Sequence, residues 1–182
     1  MPSSSDLLQS LTASRDAFQA ALANVEPRQL SQRPQPDAWS PLLIAEHVVV
    51  VEEQMITFAA RQAAAGEQRK EIGEPDEARI AGVLQAVASD MRIKVPESVA
   101  VHPAGGLSSE DLVMRWTTSR ERMEALVESF PDELRGVALL KHPMAGPMTL
   151  EHTLLFLDAH VRHHIHQLKR AADALSSSPP SD

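Results

Sequence analysis

Residues 149–175 read TLEHTLLFLDAHVRHHIHQLKRAADAL, and this stretch decides the fold. Its apolar residues Leu150, Leu154, Leu157, Val161, Ile165 and Leu168 recur every three or four positions, the spacing of one face of an α-helix. Thr149 stands where an N-cap belongs, and Lys169 and Arg170 lie in the last turns, where cations suit the negative end of the helix dipole. The segment predicts a long amphipathic helix from Thr149 to about Leu175, which needs an apolar surface to pack against.

Upstream, three further long helices supply that surface. The first covers roughly Ser5–Val25, with Leu7, Leu8, Leu11, Phe18 and Leu22 at helical spacing and Ser5 or Asp6 as its cap. Pro27, Pro34 and Pro36 then enforce an extended connection. The second starts at Ser40, an N-cap followed by Pro41 at the first helical position, and runs to about Ala65, where Gly66 stops it. The third follows Ser108 or Ser109, carries Glu110 and Asp111 in its first turn, and ends near Phe130 before Pro131. Between Glu67 and Leu107 the pattern weakens to a shorter helix near Asp76–Met91 and a loop through Pro96, Pro103, Gly105 and Gly106. A second loop, with Pro143, Gly146 and Pro147, precedes the last helix. No strand-like alternation and no internal repeat competes. The expected architecture is all-α: a four-helix bundle with a long crossover between the second and third long helices. One domain is expected over residues 1–175, with a disordered Ser/Pro tail at 176–182.

The composition narrows the function. The chain has 182 residues, 43% apolar and only 3% aromatic with no Tyr. Lys plus Arg number 17 against 25 Asp plus Glu, a net charge of -8. Nucleic-acid binding rests on clustered cations that neutralise phosphates, so no nucleic-acid partner is expected. No membrane partner is expected either, because the longest apolar run is Val48–Val51 and basic amphipathic stretches are lacking. Gly-rich phosphate-binding patterns are missing. There is no Cys, which removes thiolate nucleophiles and thiolate ligands and leaves His, carboxylate or backbone oxygen to hold any metal. The segment Met1–Asp6 lacks the basic and apolar regions of a signal peptide, so a cytoplasmic location is the expectation.

Eight histidines remain to be explained. At ~100° per residue, His160 and His164 lie one turn apart at the edge of the apolar stripe, beside Phe156 and Gln167. His163 and His166 fall on the opposite side with Arg162 and Lys169 and are expected to be solvated and dispensable. On the second helix, His47 shares a face with Leu43, Ile44, Val51, Met55 and Phe58, which is expected to be buried. A His pair at i, i+4 can reach one metal ion, and a third His from a facing helix extends the coordination. Such imidazoles suit zinc, nickel, copper or iron. Against this stands the simpler reading of a hydrogen-bonded core histidine at each position.

Three segments carry a family resemblance. Residues 37–48, DAWSPLLIAEHV, resemble the W-S-x-x-x-x-x-x-H-[LV] segment of the DinB-like (damage-inducible, bacillithiol-transferase-related) superfamily. Residues 142–150, HPMAGPMTL, resemble its H-P-x-x-G-x-[ML]-T-L stretch, and residues 160–168, HVRHHIHQL, its closing H-x-x-[RH]-H-x-x-Q motif. The order matches and most of the chain is spanned.

The resemblance implies a four-helix bundle with a divalent metal, nickel or zinc, on three histidines that correspond to His47, His160 and His164. Two kinds of function are open for such a site. One is a metal-dependent enzyme of the thiol-dependent S-transferase or hydrolase type, taking a small-molecule substrate or a low-molecular-weight thiol such as bacillithiol or mycothiol. The other is a non-catalytic small-molecule-binding protein with a structural metal. Maleylpyruvate isomerases belong to the superfamily too, and resemblance alone assigns none of these activities. Dimers occur among the members, so a homodimer is compatible. No general acid or base stands out. Gln167 follows His164 on the same face, as its partner or as an interhelical hydrogen-bonding residue. Glu46, ~100° away from His47, is expected at the surface or as a partner of a ligand. Trp39 is expected to staple the helix start, and Trp116 to be core.

Overall fold

Each long helix begins at a hydroxyl side chain that satisfies a backbone N–H the helix cannot pair itself. In the computed structural model, which describes residues 3–89 and 101–177, Ser3, Ser40, Ser108 and Thr149 occupy these positions. Ser3 and Ser108 form reciprocal boxes with Asp6 and Asp111, whose carboxylates accept from the cap N–H at 3.1 Å in each case. Thr149 does the same with His152, an imidazole in the place usually taken by Glu or Gln.

The elements are α1 (Ser4–Ala23), α2 (Pro41–Ala64), α3 (Glu77–Ala88), α4 (Ser109–Glu128), β1 (Leu140–His142), β2 (Gly146–Met148) and α5 (Leu150–Ser176). α5 packs along α1, α2 and α3, and α2 packs along α4 as well. The long helices α1, α2, α4 and α5 make the four-helix bundle, and α3 interrupts the crossover between α2 and α4. The expected cap of the first helix shifts from Ser5 or Asp6 to Ser3. Met91 and most of the expected tail lie outside the described residues. Ser176 is still helical and Ser177 caps α5.

Two features depart from the sequence reading. Residues 140–148 form an antiparallel hairpin pairing Leu140 with Met148 and His142 with Gly146. Three-residue strands are too short to show alternation, so periodicity passes over them. Arg79 of α3 clamps the turn by donating from Nε to the Met144 carbonyl at 2.6 Å. The second departure is the phase of α2. Phe58 is 42% exposed, whereas Glu46, Glu52 and Gln62 are buried. The first half of α2 is apolar nearly all round, which leaves its inward face undefined until neighbours are placed.

The core divides into two apolar clusters. One is built on Leu11, Ile56, Met123 and Leu157, the other on Phe18, Val49, Trp116 and Val161. Between them lies a polar layer with Ser14 on α1, Glu52 on α2, and Ser119 and Arg120 on α4, all buried. Arg120 Nη2 is 2.8 Å from Glu52 Oε2, and the Trp116 indole N–H donates to the same oxygen at 3.0 Å. Trp116 is core as expected, and its N–H meets the partner that burial demands.

Candidate metal centre

His47 projects from the second turn of α2, and His160 and His164 from successive turns of α5. Because α2 and α5 pack side by side, the three rings meet. His160 Nε2 lies 3.2 Å from His47 Nε2 and 3.1 Å from His164 Nε2. The ligand atoms all lie within 4.8 Å of one another. Among the described residues no carboxylate joins the group.

The far sides of the rings set the chemistry. His47 Nδ1 is 2.7 Å from the Val101 carbonyl and His164 Nδ1 is 2.6 Å from Gln167 Oε1. Both partners are oxygen acceptors, so each Nδ1 carries the proton and each Nε2 presents a lone pair to the centre. His160 Nε2 faces both lone pairs and can donate to one at most, while its Nδ1 is buried without a hydrogen-bond partner. Three imidazole nitrogens turned on one point, with no carboxylate beside them among the described residues, fit a divalent transition ion. The orphaned Nδ1 is the residual cost of this arrangement.

Burial keeps the rings neutral. It pushes the His47 pKa down to about 4, partly opposed by the bond to Val101 and reinforced by His102 and His163. Burial and then His47 push His164 down to about 3. His160, lowered well below the ordinary value, is depressed by burial and then by His164 and His47. Imidazole binds metal only when neutral, so all three stand ready over the neutral pH range.

Aromatic rings enclose the cluster. Trp39 lies 4.9 Å from the His47 ring and 6.4 Å from that of His102, and Phe156 stacks on His160 at 5.6 Å. Trp39 does pack at the helix start, but its reach to His47 exceeds a staple. His142, on the hairpin, is 4.5 Å from Phe156, and its Nδ1 accepts the N–H groups of Met144 and Ala145. Burial first and Arg79 second lower its pKa to about 4.

The sequence-predicted residues sort clearly. His47, His160 and His164 come together, and Gln167 is the partner of His164. Glu46 is buried, not at the surface, and its carboxylate faces the crossover chain rather than the histidines. His166 is exposed as expected. His163 is not: it is half-buried, with Nδ1 3.1 Å from the Ser89 carbonyl at the end of α3. The short helix covers that side of α5, and its docking could not be read from α5 alone. Sequence reasoning missed Val101, because any residue offers a carbonyl and only the path of the chain selects this one.

Similarity to known proteins bears on the fold and the family. No curated protein sequence matches the chain. The crystal structure of TT2238, a four-helix bundle protein, superposes with a TM-score of 0.59 at 23% identity, covering 91% of this chain and 98% of that one. That likeness speaks for the bundle. The sequence profile of the DinB superfamily matches residues 10–168, which include all three clustered histidines. The chain belongs to the DinB superfamily.

Proposed function

We propose that this chain binds one divalent transition metal, nickel or zinc, through Nε2 of His47, His160 and His164, and acts as a metal-dependent enzyme of the thiol S-transferase or hydrolase type. The observation that carries the reading is the convergence of three Nε2 atoms at 3.1–3.2 Å from His160, with the outer nitrogens of His47 and His164 committed to oxygen acceptors. A divalent ion there supplies Lewis acidity, lowering the pKa of a thiol or water that it binds. The chain's own residues do the rest. Val101 and Gln167 fix two tautomers, and Trp39 and Phe156 shield two of the rings from water.

A specific observation favours a second reading, a non-catalytic binder with a structural metal. His160 and His164 are only 8% and 7% exposed. Two surface depressions lie elsewhere, one beside Phe58 and Arg61 and the other beside His152 and Arg135.

One experiment separates the readings. Tag-free protein is stripped, reloaded with cobalt as a spectroscopic stand-in, and titrated with a small thiol. The expected result is one ion per chain, lost in His160→Ala, with a new thiolate charge-transfer band when thiol is added. A cobalt spectrum indifferent to thiol and to water exchange favours the structural metal. Less than stoichiometric binding in the wild type, or full binding in His160→Ala, defeats the metal centre itself.

A further inference from the structure

The crossover chain reaches α2 at two consecutive residues. His47 Nδ1 meets the Val101 carbonyl at 2.7 Å. Glu46, one position earlier, accepts from the N–H of Ala104 at 2.9 Å and from that of Gly105 at 3.0 and 3.2 Å on its two oxygens. Gly105 and Gly106 have φ of +82° and +94°, a backbone region that L residues with a Cβ avoid. The two successive N–H groups just before this turn, of Ala104 and Gly105, both meet the Glu46 carboxylate. Residues 101–107 belong to no helix or strand, and among the described residues these bonds tie the segment to α2.

Glu46 is a costly residue to bury without a purpose. It is 4% exposed and stands at the edge of a cluster of Ile44, Ala45, Val48 and Val49. An apolar side chain there would pack without needing any partner, whereas a carboxylate needs the donors it has found.

We propose that Glu46 is a positioning residue. It latches the crossover segment to α2 so that the Val101 carbonyl holds His47 in the Nδ1–H tautomer, with Nε2 free toward His160. The consequence for metal affinity rests on the metal centre proposed above; the tautomer does not. Partners that orient a ligating histidine change metal affinity by ~10–100-fold when removed, and Glu46 acts one link further out, through the backbone it anchors.

The test uses Glu46→Ala and Glu46→Gln in the full chain. Imidazole ¹⁵N spectra of metal-free protein near pH 7.5 report the His47 tautomer, and competition with a chromophoric chelator reports zinc affinity. In the wild type, His47 is expected as Nδ1–H. Glu46→Gln keeps one acceptor oxygen for the Ala104 and Gly105 N–H groups and loses the second, so the tautomer is expected to persist, with zinc affinity weakened less than in Glu46→Ala. Glu46→Ala releases the segment, mixes the tautomers and weakens zinc by about 10-fold. An unchanged tautomer in Glu46→Ala overturns the proposal. So does an equal loss of zinc affinity in both variants with the tautomer kept, because charge alone would then explain it. If Glu46→Ala loses helicity, Gly105→Ala, which strains the latch from the loop side, replaces it with the same expectation. Failure of the wild type to bind zinc refutes the metal centre, and the metal-free spectra still judge the latch.

Discussion

The imidazoles of His160 and His164, with half-buried His47, and the Glu52–Arg120 pair lie within the same bundle, yet they meet burial in opposite ways. Glu52 and Arg120 answer each other. Burial pushes the Glu52 carboxyl up and the Arg120 guanidinium down, and in each case the partner's charge is the next largest influence and opposes the shift. The layer is electrically closed. The histidines have no such answer: His164 and His47 lower the pKa of His160, His47 lowers that of His164, and among the described residues no carboxylate joins them. They remain neutral and present unshared electron pairs. A self-compensated cluster does its work within the fold, whereas an uncompensated cluster of donors could hold a cation from outside.

The largest effect expected from this contrast lies in the closed layer. Arg120→Met leaves Glu52 buried and uncompensated and should cost about 3–5 kcal/mol in urea unfolding. The double variant Glu52→Leu/Arg120→Met removes both charges and should recover most of that loss. A double variant as unstable as the single one would mean that the pair shapes packing rather than balancing charge.

The open cluster should reveal itself through pH. Burial holds the folded-state pKa of His47 at about 4 and of His164 at about 3, against about 6.5 in an unfolded chain. Between those values the unfolded state carries more protons, so acid favours it. Stability of the metal-free protein should therefore be level above pH ~6.5. It should fall as the pH drops through 6.5 toward 4, by up to about 1.4 kcal/mol per pH unit for each histidine. His47→Gln should make the decline shallower. A wild-type profile flat from pH 7 to 5 would break the contrast.

Smaller effects test the scaffold that brings the two regions together. Ser40 accepts from the Leu43 N–H at 3.3 Å, and the helix it caps carries both Glu52 and His47. Ser40→Ala should cost about 1 kcal/mol by thermal melting, with zinc stoichiometry unchanged. Smallest of all is the change at the exposed His166, where replacement by Ala should stay within about 0.5 kcal/mol. His163→Ala breaks the contact with Ser89 and should cost more, about 1 kcal/mol. Equal costs at 163 and 166 would show that α3 does not dock there in solution.

Much of this molecule was legible in one dimension. Ser40, Ser108 and Thr149 marked helix starts because a cap is a local device, made within four residues. The stripe on α5 was readable because polar and apolar faces alternate cleanly there, and it put His160 and His164 on one edge. His47 was found despite a face drawn too far toward Phe58, because the family pattern pointed to the same position.

What only the tertiary structure decided involves residues far apart in the chain. Val101 meets His47, and Ala104 and Gly105 meet Glu46, across 54 to 59 positions of the crossover, and a carbonyl has no sequence signature. Glu52 and Arg120 face each other from different helices, and either alone reads as a surface charge. His163 looks solvated on α5 until α3 is laid over it. Local hydrogen bonding and periodicity are properties of the chain. Tautomer, burial and charge compensation depend on which distant atoms the packing brings within about 3 Å.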